Sequence, residues 1–145
     1  MTTSSLSILL VEDDLAHAEI TRRNLEEFNV HLHELVHVTD GQAAIDYLQA
    51  GQAGPHPSLP DLILLDLRLP RVDGLEVLEH VKSHSRLRRI PVVVLTTSEA
   101  EQDVTGAYER GANGYLVKPV EFDKFLALTQ AFGAFWLQAN RYPNA

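Results

Sequence analysis

Three consecutive acids, Glu12, Asp13 and Asp14, follow the apolar run Ile8-Leu9-Leu10-Val11, and a fourth, Asp66, closes the run Leu62-Ile63-Leu64-Leu65. Carboxylates brought side by side repel one another unless a cation lies between them. Mg²⁺ (or Mn²⁺) meets that need with few carboxylates, several waters and a phosphate oxygen. Asp13 and Asp66 are the candidate direct ligands, with Glu12 in support. Asp is also an established nucleophile toward phosphoryl groups, through an aspartyl phosphate, and a metal beside it would draw charge off the incoming group. Two further residues suit that chemistry. Lys118, after Gly114-Tyr115-Leu116-Val117, supplies a mobile positive charge for phosphoryl oxygens, and Thr96, after Val92-Val93-Val94-Leu95, supplies a hydroxyl donor.

These residues act together only if their elements bring them to one edge. Apolar runs alternate with segments of helical period along the chain, the signature of a βα-repeating parallel sheet. The run Leu62–Leu65, bounded by Pro60 and Pro70, reads as a strand buried on both faces. Strands are expected at Ser7–Val11, Glu34–Val38, Leu62–Asp66, Pro91–Leu95 and Gly114–Val117, the second as a sheet edge. Helices are expected after Asp14 as cap, over Gly41–Ala50, from Gly74 to about His84, over Glu99–Arg110, and from Glu121 onward. If the strand order is 2-1-3-4-5, this is an α/β, flavodoxin-like, doubly wound five-stranded sheet with strands one and three adjacent, and such sheets bind ligands outside the carboxyl ends of their strands.

Composition narrows the function. The chain has 145 residues, 45% of them hydrophobic and 22% charged, which suits one globular domain. A net charge of −8 argues against a nucleic-acid partner, and Arg86, Arg88 and Arg89 read as a solvated helix end. With no cysteine there is neither a disulfide framework nor a thiolate site. No apolar stretch approaches the ~20 residues of a membrane span, so a cytoplasmic location is expected.

The motifs resemble the receiver domains of two-component response regulators. The likeness rests on Leu10-Val11-Glu12-Asp13, on Leu65-Asp66, on Leu67-Arg68-Leu69-Pro70 with Asp73-Gly74, and on Leu95-Thr96-Thr97. Gly111-Ala112-Asn113-Gly114-Tyr115-Leu116-Val117-Lys118-Pro119 completes it. The resemblance implies that Asp66 accepts a phosphoryl group from a sensor histidine kinase, with Asp13, Asp66 and the Arg68 backbone carbonyl holding the metal. It also implies that Thr96 and Tyr115 form a switch pair and that the Lys118–Pro119 peptide is cis. The chain would be a phosphoacceptor and not an enzyme, and the Arg68 side chain is expected to be free. Thr97 stands where many receivers carry a smaller residue.

The end of the chain departs from a minimal receiver. Residues 1–130 are expected to form the receiver domain and 131–145 a C-terminal extension that dimerises. Phe135, Trp136 and Leu137 are consecutive and cannot all face one core, so with Phe132 they are the expected contacts of a homodimer. This tail, the Gly- and Pro-rich segment Gly51–Pro60 and the run Pro91–Ser98 resemble stand-alone regulators paired with phytochrome-type histidine kinases. His31, His33 and His37, like the i, i+4 pair His80 and His84, are expected to be ordinary polar residues, since no third zinc ligand accompanies the pair.

Four other functions are weighed, the first an inert pseudo-receiver scaffold, which usually lacks the equivalents of Asp66 or Lys118 that this chain keeps. A haloacid-dehalogenase-type phosphatase needs a second acid two residues after the nucleophile, where this chain has Arg68. Flavodoxin-like nucleotide binding needs a phosphate loop after the first strand, where this chain has acids. An intermediate phosphate carrier in a multistep relay would use the same Asp66.

Overall fold

The computed structural model describes residues 6–28, 32–53, 58–143. Five strands, β1 (Leu6–Val11), β2 (Leu32–Val38), β3 (Leu62–Leu65), β4 (Val92–Thr96) and β5 (Gly114–Val117), form one parallel sheet in the order β2-β1-β3-β4-β5. Five helices alternate with them: α1 (Leu15–Phe28), α2 (Gly41–Gln52), α3 (Gly74–Ser83), α4 (Glu101–Glu109) and α5 (Phe122–Gly133). The flavodoxin-like fold and its strand order are thus as the sequence implies. β2 begins two residues earlier than expected, and α4 begins two residues later.

Side-chain alternation along the central strands divides the core in two. Leu9, Val11, Ile63, Leu65, Val92 and Val94 face Ala44 and Leu48 of α2 and Val77, Leu78 and Val81 of α3. Ile8, Leu10, Leu62, Leu64, Val93 and Leu95 face Ala18 and Leu25 of α1 and Phe125 and Phe132 of α5. Both strand faces are covered, which explains unbroken apolar runs where a half-exposed strand would alternate. Acids start several helices. Asp14 accepts from the His17 backbone N–H at 3.0 Å, as expected of a cap, and Asp40 and Asp73 do the same for Ala43 and Glu76 at 2.7 and 3.0 Å.

The β3–α3 turn is crowded. A Cβ on Gly41 would collide with the Val72 carbonyl, and one on Gly74 with the Asp66 carbonyl, so only glycine admits both helix starts. Within this turn Arg71 adopts φ of 72°, the left-handed region that penalises a side chain.

α5 crosses residue 130 without a break, and a π-helical turn, Ala134–Ala139, follows it. That wider turn brings positions five apart toward one face. Phe132 and Leu137 both join the core on the α1–α5 side, at 5% and 2% exposure, while Phe135 stays 51% exposed. The expectation that all four tail residues serve a dimer therefore needs correction: Phe132 and Leu137 are core. Trp136 packs partly against the same cluster and meets the Phe135 ring edge-on at 5.0 Å. Beyond it, the Tyr142 hydroxyl donates to the Trp136 carbonyl at 2.6 Å and ties the tail down. Asn144 and Ala145 lie outside the described residues, as do Gly54–Pro57 of the expected loop.

Replacing Arg71 by Gly should raise stability by about 0.5–1 kcal/mol, because relief of the left-handed strain exceeds the added freedom of the unfolded chain. The check is a higher urea midpoint with an unchanged m-value.

Candidate phosphoacceptor site

The sheet's hydrogen-bond ladder continues one step past its strands, and that step holds the site. The Glu12 N–H donates to the Val38 carbonyl at 3.0 Å, Asp66 N–H to Val11 at 3.0 Å, and Lys118 N–H to Thr96 at 2.7 Å. Glu12, Asp66, Thr96 and Lys118 therefore converge at the carboxyl edge, where β1 and β3 are neighbours across the reversal of strand order.

All four are buried, whereas Asp13 and Asp14 are exposed. The Lys118 ammonium is shared. It donates to Glu12 Oε1, to Asp66 Oδ2 at 3.1 Å and to His17 Nδ1 at 3.1 Å. Burial pushes the Glu12 carboxyl up to about 7 against the pull of Lys118, with the Asp66 charge adding to the rise. For Asp66 burial also acts upward, but Lys118 and Thr96 outweigh it and hold the carboxyl below its usual value. The two acids are thus driven apart: Asp66 stays an anion, while Glu12 yields readily to protonation.

Carboxylate oxygens of Glu12, Asp13 and Asp66 lie within 4.8 Å of one another. Among the described residues Asp13 has no ion-pair partner, and no donor reaches the Arg68 carbonyl. An all-oxygen donor set of this kind, open toward solvent at Asp13, fits a hard divalent cation. Asp14 is spent on capping α1, which depresses its carboxyl through the His17 backbone bond.

Other expectations resolve as follows. The Arg68 side chain is not free; its guanidinium donates to Asp103 Oδ2 at 2.6 Å. The Lys118–Pro119 peptide is trans, the isomer X–Pro bonds favour intrinsically, as no described peptide bond is cis. Tyr115 lies half-buried beyond the site, its hydroxyl donating to the Ser98 carbonyl at 3.0 Å. Thr97 is exposed. His33 points to solvent, His37 Nε2 meets the Glu12 carbonyl at 2.7 Å, and His31 lies outside the described residues. His80 and His84 stack at 4.2 Å, with His84 Nδ1 on the His80 carbonyl at 2.6 Å. The sequence reading missed His17 and Asp103, and it took His37 for an ordinary polar residue. Only His17 carried a signal, as the third residue of a helix that starts at the acidic edge.

A cleft of about 490 Å³ is remote from this chemistry; it lies at the opposite edge of the sheet, between Ser58–Asp61, Arg86, Arg89 and Tyr142. A hollow of about 280 Å³ does flank the site, between Arg68, Asp73, Leu75 and Asp103. Among the described residues, no helix is long and apolar enough to cross a membrane.

Comparison with known proteins agrees with this geometry. The profile described as response regulator receiver domain matches residues 8–130. A probable methanogenesis regulatory protein, FilR2 of Methanothrix harundinacea, is 46% identical over 94% of this chain and 87% of its own. Response regulator Rcp1 of Synechocystis is 42% identical over 95% and 93% of the two chains. The crystal structure of its Mn²⁺-bound form superposes with a TM-score of 0.87 at 41% identity, over 96% of this chain and 99% of that one. The phosphorylated cyanobacterial phytochrome response regulator RcpA superposes at 0.88 with 39% identity, over 97% and 100%.

The pH response of Glu12 should be visible without metal. A raised carboxyl means that the folded chain binds more protons than the unfolded one between 4.5 and about 7, so stability falls as pH rises through that window. Asp66 has the opposite sign; its stabilisation is present above its unfolded value and is lost only as pH falls through the depressed folded one. In EDTA, urea unfolding should show the wild type losing roughly 1–3 kcal/mol between pH 5 and 7. Glu12→Gln should flatten that slope, and an equally steep slope in the variant would remove Glu12 as its cause.

Proposed function

Because this chain belongs to the response regulator receiver domain family, we propose that Asp66 is its phosphoacceptor and that it takes the phosphoryl group from a phytochrome-type sensor histidine kinase. The observation that carries the reading is an ionised, buried Asp66 beside Lys118, within reach of the Glu12–Asp13 acids. When bound, Mg²⁺ would neutralise acid charge and draw electron density from the phosphoryl oxygens; Asp13, Asp66 and the Arg68 carbonyl are its proposed ligands, with Glu12 in support. Lys118 pairs with a phosphoryl oxygen, and Thr96 donates its hydroxyl to another. Thr96 and Tyr115 form the switch pair by which that change reaches the β4–β5 side.

The chain is proposed to act as a cytoplasmic signalling phosphoacceptor and not as an enzyme with a separate substrate. Arg68, two residues after Asp66, offers no general acid for a phosphatase cycle. Support for the phytochrome-type partner comes from the likeness to RcpA. Exposed Leu15, at the start of α1, and Val120 and Phe122, just after Lys118, rim the site edge with apolar surface on which a kinase can seat. The tail is proposed to pair two copies of the chain through Phe135 with the exposed part of Trp136. Phe132 and Leu137 support that contact from within the core.

Asp66→Asn should abolish labelling by a phosphorylated phytochrome-type kinase and by acetyl phosphate, since an amide is a poor nucleophile. The wild-type label should be lost in hydroxylamine, as an acyl phosphate is; label that survives the substitution would place the chemistry elsewhere. In sedimentation, Phe135→Ser should shift the unphosphorylated protein toward monomer, on the order of tenfold or more in dissociation constant, without loss of Asp66 labelling. A wild type that sediments as monomer at tens of micromolar would refute the pairing.

A further inference from the structure

A long cationic side chain beside the phosphoacceptor is turned away from it. Arg68 follows Asp66 by two residues, and its backbone N–H donates to Asp66 Oδ1 at 3.2 Å. Its guanidinium is long enough to swing toward a group on Asp66, yet it rests on Asp103 Oδ2 at 2.6 Å. Asp103, in the first turn of α4, is only 7% exposed. The Ser98 hydroxyl donates to the same Oδ2 at 2.5 Å, and Ser98 Oγ in turn accepts the Ala100 N–H at 3.3 Å. Asp103 is therefore aimed by its surroundings before Arg68 arrives.

The contacts close a ring around the acceptor. Thr96 helps hold Asp66 ionised, and its hydroxyl oxygen receives the Ser98 N–H at 3.4 Å. Ser98 reaches Asp103, Asp103 reaches Arg68, and the Arg68 N–H returns to Asp66. Ser98 also receives the Tyr115 hydroxyl on its carbonyl, so the ring touches the proposed switch residue.

We propose that Asp103 is a positioning residue for phosphoryl acceptance: by pairing with Arg68 it withholds the guanidinium from Asp66 and weakens the approach of small anionic phosphodonors. The inference rests on the reading of Asp66 as phosphoacceptor. Guanidinium forks match phosphate oxygens two at a time, so an unpaired Arg68 is a donor-binding group beside the nucleophile. Lys118 cannot substitute for it freely, because Glu12 and His17 also hold its ammonium. With acetyl phosphate, an Asp66 oxygen attacks phosphorus, the new O–P bond forms, and acetate leaves with the electrons of the broken P–O bond. The Arg68–Asp103 pair takes no part in that exchange; it governs how the donor is held while the exchange occurs.

The test is a double-mutant cycle with acetyl phosphate and saturating Mg²⁺ at an ionic strength of about 0.15 M, where charges more than about 8 Å apart are largely screened. Wild type, Asp103→Asn, Arg68→Met and the double variant are compared by the rate of mass gain at varied donor concentration. Asp103→Asn should lower the half-saturating donor concentration at least about threefold, a change within the range of partly exposed ion pairs. The maximal rate should move less, and in the Arg68→Met background the same substitution should have no effect. Asp103→Glu, which keeps the charge, should stay near wild type. An equal shift in both backgrounds, no shift in either, or Asp103→Glu behaving like Asp103→Asn would each overturn the proposal. Failure of the wild type to take up phosphate, or uptake persisting in Asp66→Asn, would instead overturn the reading of Asp66.

Discussion

One ammonium shared between two buried carboxylates is the constraint on which the site depends. Lys118 is 5% exposed, Glu12 2% and Asp66 7%, so neither acid can be left without the lysine unless a proton or another cation replaces it. Removing one member of such a set leaves an uncompensated charge in a poorly solvated place, which costs far more than the intact arrangement contributes. The protein divides the burden unequally. Glu12 sits near neutrality in pKa, while Asp66 keeps its charge through Lys118 and Thr96. Of the two buried acids only Asp66 is thereby left as the strong anion.

The sheet makes that division possible. Three parallel ladder steps fix the backbone under Glu12, Asp66 and Lys118, the last of them on the Thr96 carbonyl, so the side chains need little further ordering when charge at the site changes. Glycine at position 74 lets α3 begin directly against the Asp66 carbonyl, and glycine at 41 lets α2 begin against the Val72 carbonyl of the same turn. Precision around Asp66 is thus built from backbone proximity. Around that frame stand long side chains from neighbouring loops, among them Arg68, which rests on Asp103.

Much of this was legible in the sequence because the informative signals were local. Unbroken apolar runs ending in Asp66, Thr96 and Lys118 identify doubly covered strands, and a parallel sheet must carry their ends to one edge. Helix capping by Asp14 followed from its place before a periodic segment. What escaped depends on side-chain direction across elements. Nothing in the helical segment Glu99–Arg110 singles out Asp103, and only the packing of α4 beside the β3–α3 turn brings Arg68 to it. His37 reads as an alternating edge residue until β2 pairs with β1 and delivers it to the Glu12 carbonyl. The tail escaped for a different reason: an α-helical reading cannot put Phe132 and Leu137 on one face, and no residue type announces a π turn.

That π turn has a practical consequence for anyone cutting or fusing this module. The profile that identifies the family stops at residue 130, and a boundary drawn there would seem safe by homology. In this protein it would strip Phe132 and Leu137 from the layer beneath α1 and remove the Tyr142 tether on Trp136. The excised piece would show a greasy furrow along one flank, an invitation to self-association during expression. Chimeras that transplant this receiver, or graft an effector onto its carboxyl terminus, should carry the chain through Pro143 and begin the linker beyond it.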